Sequence, residues 1–193
     1  MKENEGSSHI FDPRQWQKLE SAERRERMNP AWLVDAMRLG KDEVALDIGC
    51  GTGFFAEAAA GRVAKLIGVD RSEDMLNVFR AKDGFSEFGN IDLRIGDAAD
   101  LPVEDGSCDV VFHVCILHEI KDVARFHAEI MRALKLGGRV YCVDWEARDT
   151  EGGPPVDHRV SKETAMQWLI RDGFKDAREL DVYRDQYVIE ARK

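Results

Sequence analysis

The sequence predicts an α/β protein built on an open, doubly wound, mostly parallel sheet that ends in an antiparallel hairpin. Three observations carry that prediction. Apolar runs of strand length at 44–48, 65–70, 91–97, 107–114 and 139–145 alternate with stretches of helical periodicity. Two more strand-like runs, 175–183 and 186–192, are separated only by a short turn and so read as an antiparallel pair. The first run leads into Gly49, Gly51 and Gly53 and then helix-forming residues 54–60, a strand, a glycine turn and a helix in succession. Right-handed crossovers between parallel strands then require helices on both faces of the sheet.

Bulk properties limit the function classes. The chain has 193 residues, 44% apolar and 34% charged, which suits one soluble domain over 1–193 with a proper core. A net charge of −9 argues against nucleic acid as a partner, because phosphate binding needs a basic face. No apolar run reaches the ~18 residues of a membrane span, and the polar start MKENEGSSHI has no signal-peptide core. No membrane partner and a cytoplasmic location are therefore expected. Cys50, Cys108, Cys115 and Cys142 form no C-x-x-C pair, so they read as reduced, packed thiols, and no metal site is expected.

Residues 1–8 are polar and read as loosely attached. The motif HIFDP at 9–13 precedes a charged stretch, 15–28, that reads as one helix marked by Trp16, Leu19 and Met28. Asn29-Pro30 opens a second helix with Trp32, Leu33, Ala36, Met37 and Leu39 as its apolar face and Gly40 as its stop. Residues 9–28 either close over the ligand crevice as a lid or pack on the sheet. Val44, Ala45, Leu46 and Ile48 make a strand buried on both faces, with Asp47 just before the glycines. Glycine allows positive φ and lets a ligand lie against the backbone. The N–H groups opening the next helix would favour a carboxylate. The spacing is one residue short of G-x-G-x-x-G, and no G-x-x-x-x-G-K-[ST] occurs.

The second strand ends in Asp70, placed to accept from two ribose hydroxyls. Ser72 caps the following helix, and Met75 and Leu76 face the core or a base. The third strand ends in Gly96-Asp97-Ala98. There a carboxylate could accept from an adenine amine and an N–H could donate to the ring, or Asp97 could simply cap a turn. His113 falls at the tip of the fourth strand. His118 precedes a helix of Val123, Phe126, Ile130 and Leu134 that Gly137-Gly138 would end. The fifth strand ends in Asp144-Trp145, and a polar loop over 146–160 should border the pocket. Ser161 caps a helix over 162–172 that Gly173 stops.

Together, DIGCGTG, GVDRSEDML, GDAADLP, CDVVFHVCILHEI and LKLGGRVYCVD resemble the class I S-adenosylmethionine-dependent methyltransferases, in the small-molecule group that includes ubiquinone and menaquinone biosynthesis. The resemblance covers roughly residues 40–193 and implies a seven-stranded Rossmann-like fold, S-adenosylmethionine as cofactor and a small-molecule acceptor. It implies that Gly49, Gly51 and Gly53 cradle the methionine part and Asp47 reaches its amino group. Asp70 would hold the ribose, with Arg71 and Met75 against the adenine, Asp97 and Ala98 at the adenine edge, and the His113 backbone beside the amino group. The [DN]PP[YF] of DNA-amine enzymes and the metal-binding Asp of catechol-type enzymes are both absent from the fourth strand tip. An in-line transfer needs a base only where the acceptor is protonated. His118 and Asp144 are the candidates, with a structural hydrogen bond as the other role for His118. His9 and His158 read as surface residues. Two other functions fit a glycine turn of this kind: a non-catalytic binding module acting through a partner, and a nicotinamide oxidoreductase, which the spacing disfavours.

Overall fold

A computed structural model describes residues 12–193. The readings of residues 1–8 and of His9 lie outside the described residues. Seven strands form one sheet in the order β3-β2-β1-β4-β5-β7-β6. They are β1 Val44–Ile48, β2 Lys65–Asp70, β3 Ile91–Ile95, β4 Cys108–Val114, β5 Leu134–Trp145, β6 Lys175–Leu180 and β7 Gln186–Arg192. Neighbours from β3 through β5 pair in parallel. β7 runs antiparallel to both β5 and β6, so the hairpin closes the sheet with its second strand inserted.

Among the described residues the α-helices are α1 Ala22–Arg27, α2 Pro30–Met37, α3 Ala56–Ala60, α4 Glu73–Arg80, α5 Val123–Ala133 and α6 Lys162–Arg171, of which α2 to α6 pack on the sheet. Side chains alternate across each strand, and this alternation splits the core in two. Ala45, Leu66, Val110, Phe112, Tyr141 and Val143 pack with Leu33, Met37, Ala56, Ala59 and Phe79 of α2, α3 and α4. Leu46, Ile48, Val111, Cys142 and Tyr187 pack with Phe126, Ile130, Ala165 and Leu169 of α5 and α6. β1 and β4 lie side by side, yet the chain leaves them toward opposite edges and opposite faces. That switch point opens a crevice at their carboxyl ends, where ligands bind in open α/β sheets.

Several boundaries differ from the sequence reading, each for a local reason. Residues 15–28 are not one helix. A 3-10 segment Pro13–Glu20 ends at Ser21, whose extended backbone restarts the chain and whose Oγ accepts from Arg24 N–H at 3.2 Å as the cap of α1. Such a cap contributes about 1 kcal/mol. α2 stops at Arg38, which takes the left-handed conformation at φ 50° and ψ 51° itself, so Gly40 is not the stop. Trp32, read as part of the apolar face of this helix, is 49% exposed. β3 ends at Ile95, two residues early, because the chain turns at Asp97. Helix α5 ends at Ala133 and the extended strand begins at once, so Gly137 and Gly138 sit within β5 and not at a helix stop. β6 stops at Leu180, short of Tyr183, whose hydroxyl instead donates to the Asn29 carbonyl at 3.0 Å and ties the hairpin to the N-terminal helices.

Candidate functional site

A cavity of about 960 Å³ opens at the carboxyl ends of β1, β2 and β4, near the upper end of the ~300–1,000 Å³ usual for ligand sites. Asp47, Asp70, Arg71, Met75, Asp97 and Ala98 all line it, so three strand-end acids converge on one space. The N-terminal segment covers it, since Asp12, Lys18, Leu19, Arg24 and Met28 are also in its wall. This segment thus lies beside the crevice, which is compatible with both readings given for it, a lid and a packing element. It is anchored at Glu20, whose carboxylate bonds Thr52 Oγ1 of the glycine loop and pairs with Lys82 Nζ at 2.7 Å.

The three glycines divide their work. Gly49, Gly51 and Gly53 have φ of 72°, 53° and 81°, which other residues rarely adopt. A Cβ on Gly49 would meet Ile116 Cγ2 at 2.7 Å, and one on Gly53 would meet the Phe79 ring at 2.3 Å. Gly53 makes room for the protein's own core and does not line the cavity, contrary to its reading as a cofactor contact. Gly51, like Gly49, does line the cavity. A Cβ there would project toward Met75 Cε at 3.3 Å and Leu19 Cδ1 at 3.8 Å, at the mouth of the cavity. The Gly51 N–H donates to Asp70 Oδ2 at 2.8 Å, and Ser72 N–H donates to Asp70 Oδ1 at 2.9 Å. Two donors fix the carboxylate and leave lone pairs for a ligand. Burial raises the Asp70 pKa above its ordinary 3.8, opposed by those backbone bonds.

Asp47 is 3% exposed and accepts no hydrogen bond from any described residue. Burial pushes its carboxyl well above the usual range, the charge of Asp70 adds to this, and Arg24 opposes it. A buried acid in that condition suits a ligand cation. Asp97 Oδ1 accepts from Ala99 N–H at 2.7 Å, so the turn-capping role is real, and the residue also lines the cavity. Leu76 is fully buried in the core. His113 does not reach the cavity. β4 continues one residue further, so Val114, Cys115 and Ile116 form the tip, while both His113 ring nitrogens are buried without a hydrogen-bond partner among the described residues and its ring meets Phe126 at 5.0 Å.

At the other side of the cavity His118 Nδ1 lies 2.8 Å from Asp144 Oδ1. Asp144 is fully buried and also accepts the backbone N–H groups of His118 at 3.2 Å and Trp145 at 2.7 Å. The two candidate bases are therefore one unit. Of the two, His118 lines the cavity and Asp144 stands behind it. With Nδ1 held by Asp144, Nε2 is left for an acceptor. Burial disfavours the charged ring, yet the hydrogen bond and charge of Asp144 outweigh it, and the His118 pKa stands above its ordinary 6.5. Trp145, Gly153 and Pro154 complete this wall. Arg159 shapes the loop there: its guanidinium donates to the carbonyls of Glu146, Arg148, Gly152 and Pro154 at 2.8–3.0 Å and lies 5.2 Å from the Trp145 ring centre.

Residues 46–142, half of the chain, match the family described as a methyltransferase domain. The chain belongs to that family. Among relatives, the demethylmenaquinone methyltransferase of Oceanobacillus iheyensis is 32% identical over 120 residues, 59% of this chain and 50% of that protein. The enzyme of the same name from Symbiobacterium thermophilum is 40% identical over 103 residues, 51% of this chain and 41% of that protein. The chain thus spans about half the length of the curated relatives it matches. A SAM-dependent methyltransferase from Aquifex aeolicus has the same fold, with a TM-score of 0.88 at 23% identity over 95% of this chain and 99% of that one. The methyltransferase domain's cavity fits the adenosyl cofactor its motifs imply: an open glycine cradle, a fixed carboxylate with spare lone pairs, and a buried acid awaiting a cation.

Sequence reading missed Arg24, Trp145 and Arg159. Arg24 stands in AERRER, where nothing in the composition separates it from Arg25, and only the break at Ser21 turns it inward. Among the described residues no group of three His, Cys, Asp or Glu side chains could hold a metal ion.

Proposed function

We propose that this protein is an S-adenosylmethionine-dependent methyltransferase acting on a small-molecule acceptor. The observation that carries the reading is one cavity with Asp47, Asp70 and Asp97 at one end and His118, backed by Asp144, at the other. When bound, the cofactor supplies an activated sulfonium methyl. Asp70 would accept from the ribose hydroxyls, Asp97 and Ala98 would take the adenine edge, and Arg71 and Met75 would hold the ring. Gly49 and Gly51 would hold the methionine part. His118 Nε2 removes the proton of an acceptor hydroxyl or acidic carbon as it attacks, and Asp144 stabilises the resulting imidazolium. Holding the partners in line supplies much of the rate, up to ~7–11 kcal/mol.

The cavity must house donor and acceptor together, so the acceptor is compact, and Trp145 and Pro154 give it an apolar, planar-tolerant wall. The named relatives act on a demethylated menaquinone; the matched region is the cofactor half, and the acceptor here is read from the cavity alone. A net charge of −9 supports an acceptor other than nucleic acid, and four free cysteines support a reducing, cytoplasmic setting. Among the described residues no helix is long and apolar enough to cross a membrane.

Calorimetry with S-adenosylmethionine on wild type and Asp70→Asn tests the donor site. Loss of two charge-assisted bonds should weaken binding by about tenfold or more. Equal affinity would sink the ribose assignment. A metabolite extract incubated with methyl-labelled cofactor, read by mass, would then name the acceptor.

A further inference from the structure

The acceptor side of the cavity includes a guanidinium that answers to no described residue. Arg27 ends α1, lines the cavity and is half-buried. A Cβ on Gly152 would lie 3.3 Å from Arg27 Nη1. Its head therefore sits against the 146–160 loop, which carries Gly153 and Pro154 into the same wall. Among the described residues Arg27 makes no hydrogen bond and no ion pair within 4.0 Å. The local acceptor is already taken, because the Gly152 carbonyl receives Arg159 Nη2 at 2.9 Å and Thr150 Oγ1 at 2.7 Å. Glu23, one turn earlier on α1, is exposed to solvent.

The other charged groups here are committed or lie elsewhere. Arg159, the second guanidinium at this loop, spends Nε, Nη1 and Nη2 on loop acceptors and has its charge against Trp145. Arg24 Nη1 donates to the Leu19 carbonyl at 2.8 Å, and its guanidinium carbon lies 4.6 Å from the Phe54 ring centre, over the chain that follows the glycine turn. Lys18 Nζ bonds Gln15 Oε1 at 2.6 Å. Of the acids, Asp12 is paired with Arg14 at 2.8 Å, Asp122 caps α5 through the Arg125 N–H at 3.0 Å, and Glu119 has a partner of its own. Lys121 is the remaining rival; it also lines the cavity but is exposed.

Arg27, Trp145 and His118 thus offer one cavity three different things: a planar fork of N–H donors, a flat apolar wall and a base. A few such polar groups in an apolar pocket fix a ligand's orientation, and a guanidinium fork matches a carboxylate. Resting on the donor reading above, we propose that the acceptor is a small planar hydroxy acid, its carboxylate received by Arg27, its ring against Trp145 and its hydroxyl at His118 Nε2. The hydroxyl oxygen forms the new bond to the methyl carbon as the S–CH₃ bond breaks. The electron pair stays on sulfur, which becomes a neutral thioether, and the proton passes to His118. Arg27 then sets which acceptors enter, and takes no part in the bond changes.

The test is calorimetry on protein saturated with S-adenosylhomocysteine, using 4-hydroxyphenylacetate and its neutral isostere 4-hydroxyphenylacetamide at pH 7. Wild type should prefer the acid by about tenfold or more. In Arg27→Gln, affinity for the acid should fall roughly 10- to 100-fold, the scale of lost hydrogen bonds to a charged group, while affinities for the amide and for S-adenosylhomocysteine stay as in wild type. Arg27→Lys, which keeps charge without the fork, should fall between. Lys121→Gln should keep the preference. Equal affinity of wild type for acid and amide, binding of neither, a preference that survives in Arg27→Gln, or one that is lost in Lys121→Gln each overturns the proposal. Failure of wild type to bind S-adenosylhomocysteine is a separate result, which sinks the donor reading and the inference with it.

Discussion

Replacing Asp144 with Asn tests the acceptor side most directly. Asp144 accepts three bonds in a fully buried position: His118 Nδ1 at 2.8 Å, His118 N–H at 3.2 Å and Trp145 N–H at 2.7 Å. An amide keeps one acceptor oxygen and turns a donor toward one of these partners. The cost to stability should be about 1.5–3 kcal/mol, the worth of a charge-assisted bond. The larger effect is on His118. Its pKa is held above 6.5 chiefly because Asp144, with a smaller push from Glu119, outweighs burial. With the Asp144 charge gone, burial is opposed only by Glu119 and the titration should drop below 6.5. Turnover should fall by ~10²-fold or more, within the range that general base catalysis supplies. Proton NMR of the imidazole C2–H resonances follows this without any acceptor, with His118→Asn assigning the peak. The sign of the linkage is fixed by the direction of the shift. The folded state holds the His118 proton more tightly than the unfolded chain. Its stabilisation is complete below 6.5 and fades as pH rises through the raised folded value. A wild-type His118 titrating at or below 6.5, or an unmoved resonance in Asp144→Asn, would refute the coupling.

His113 should behave in the opposite sense. Burial pushes its pKa down to about 3, with His127 adding and Asp144 opposing. The unfolded chain therefore takes up this proton first, and stability is lost as pH falls from 6.5 toward 3. In urea unfolding, His113→Phe should recover about 2 kcal/mol of the stability lost between pH 7 and pH 5; an unchanged acid sensitivity counts against the burial argument. The glycines should separate cleanly. Gly53→Ala drives a Cβ to 2.3 Å from the Phe79 ring at φ 81° and should cost more than ~2 kcal/mol in thermal or urea denaturation. Gly51→Ala, with 3.3 Å to the end of a flexible methionine, should cost nearer ~1–2 kcal/mol and show its main effect as weaker S-adenosylmethionine binding. The reverse ranking would assign the cradle to the wrong glycine.

The sheet was legible because strand cores are long-range burial written locally. Val44–Ile48, Lys65–Asp70 and Gln186–Arg192 coincide with their apolar runs. The helices were less so. Residues 15–28 look continuous in composition, but Ser21 competes for the backbone and splits them. Arg38 carries a left-handed turn that glycine would ordinarily mark. Of the site, the acids at the strand ends could be read, since a carboxylate at the end of an apolar run has few other uses. Gly53 was assigned to the ligand because spacing cannot tell whether an absent Cβ makes room for a cofactor or for Phe79. His118 and Asp144 were separate candidates, 26 residues apart, and only the pairing of β4 with β5 joins them.

That pairing also explains why one cavity can serve two chemistries. On β1, Asp47 follows Ala45 on the face packed by α2, α3 and α4. On β5, Asp144 follows Cys142 on the face packed by α5 and α6. The same period of two sends one acid toward Arg24 and the N-terminal segment and the other toward His118. Burial on both faces fixes the register, since a slip of one residue would send Asp144 under the N-terminal helices and strand His118 without its partner. The sheet thus insulates two buried carboxylates from each other, one tuned for a fixed cation and one for a moving proton, while their strand ends open into a shared space. Separation of this kind lets Asp47 keep its strongly raised pKa without drawing on the charge that holds His118 up, and it is the reason the donor and acceptor variants described above should act independently on binding and on proton transfer.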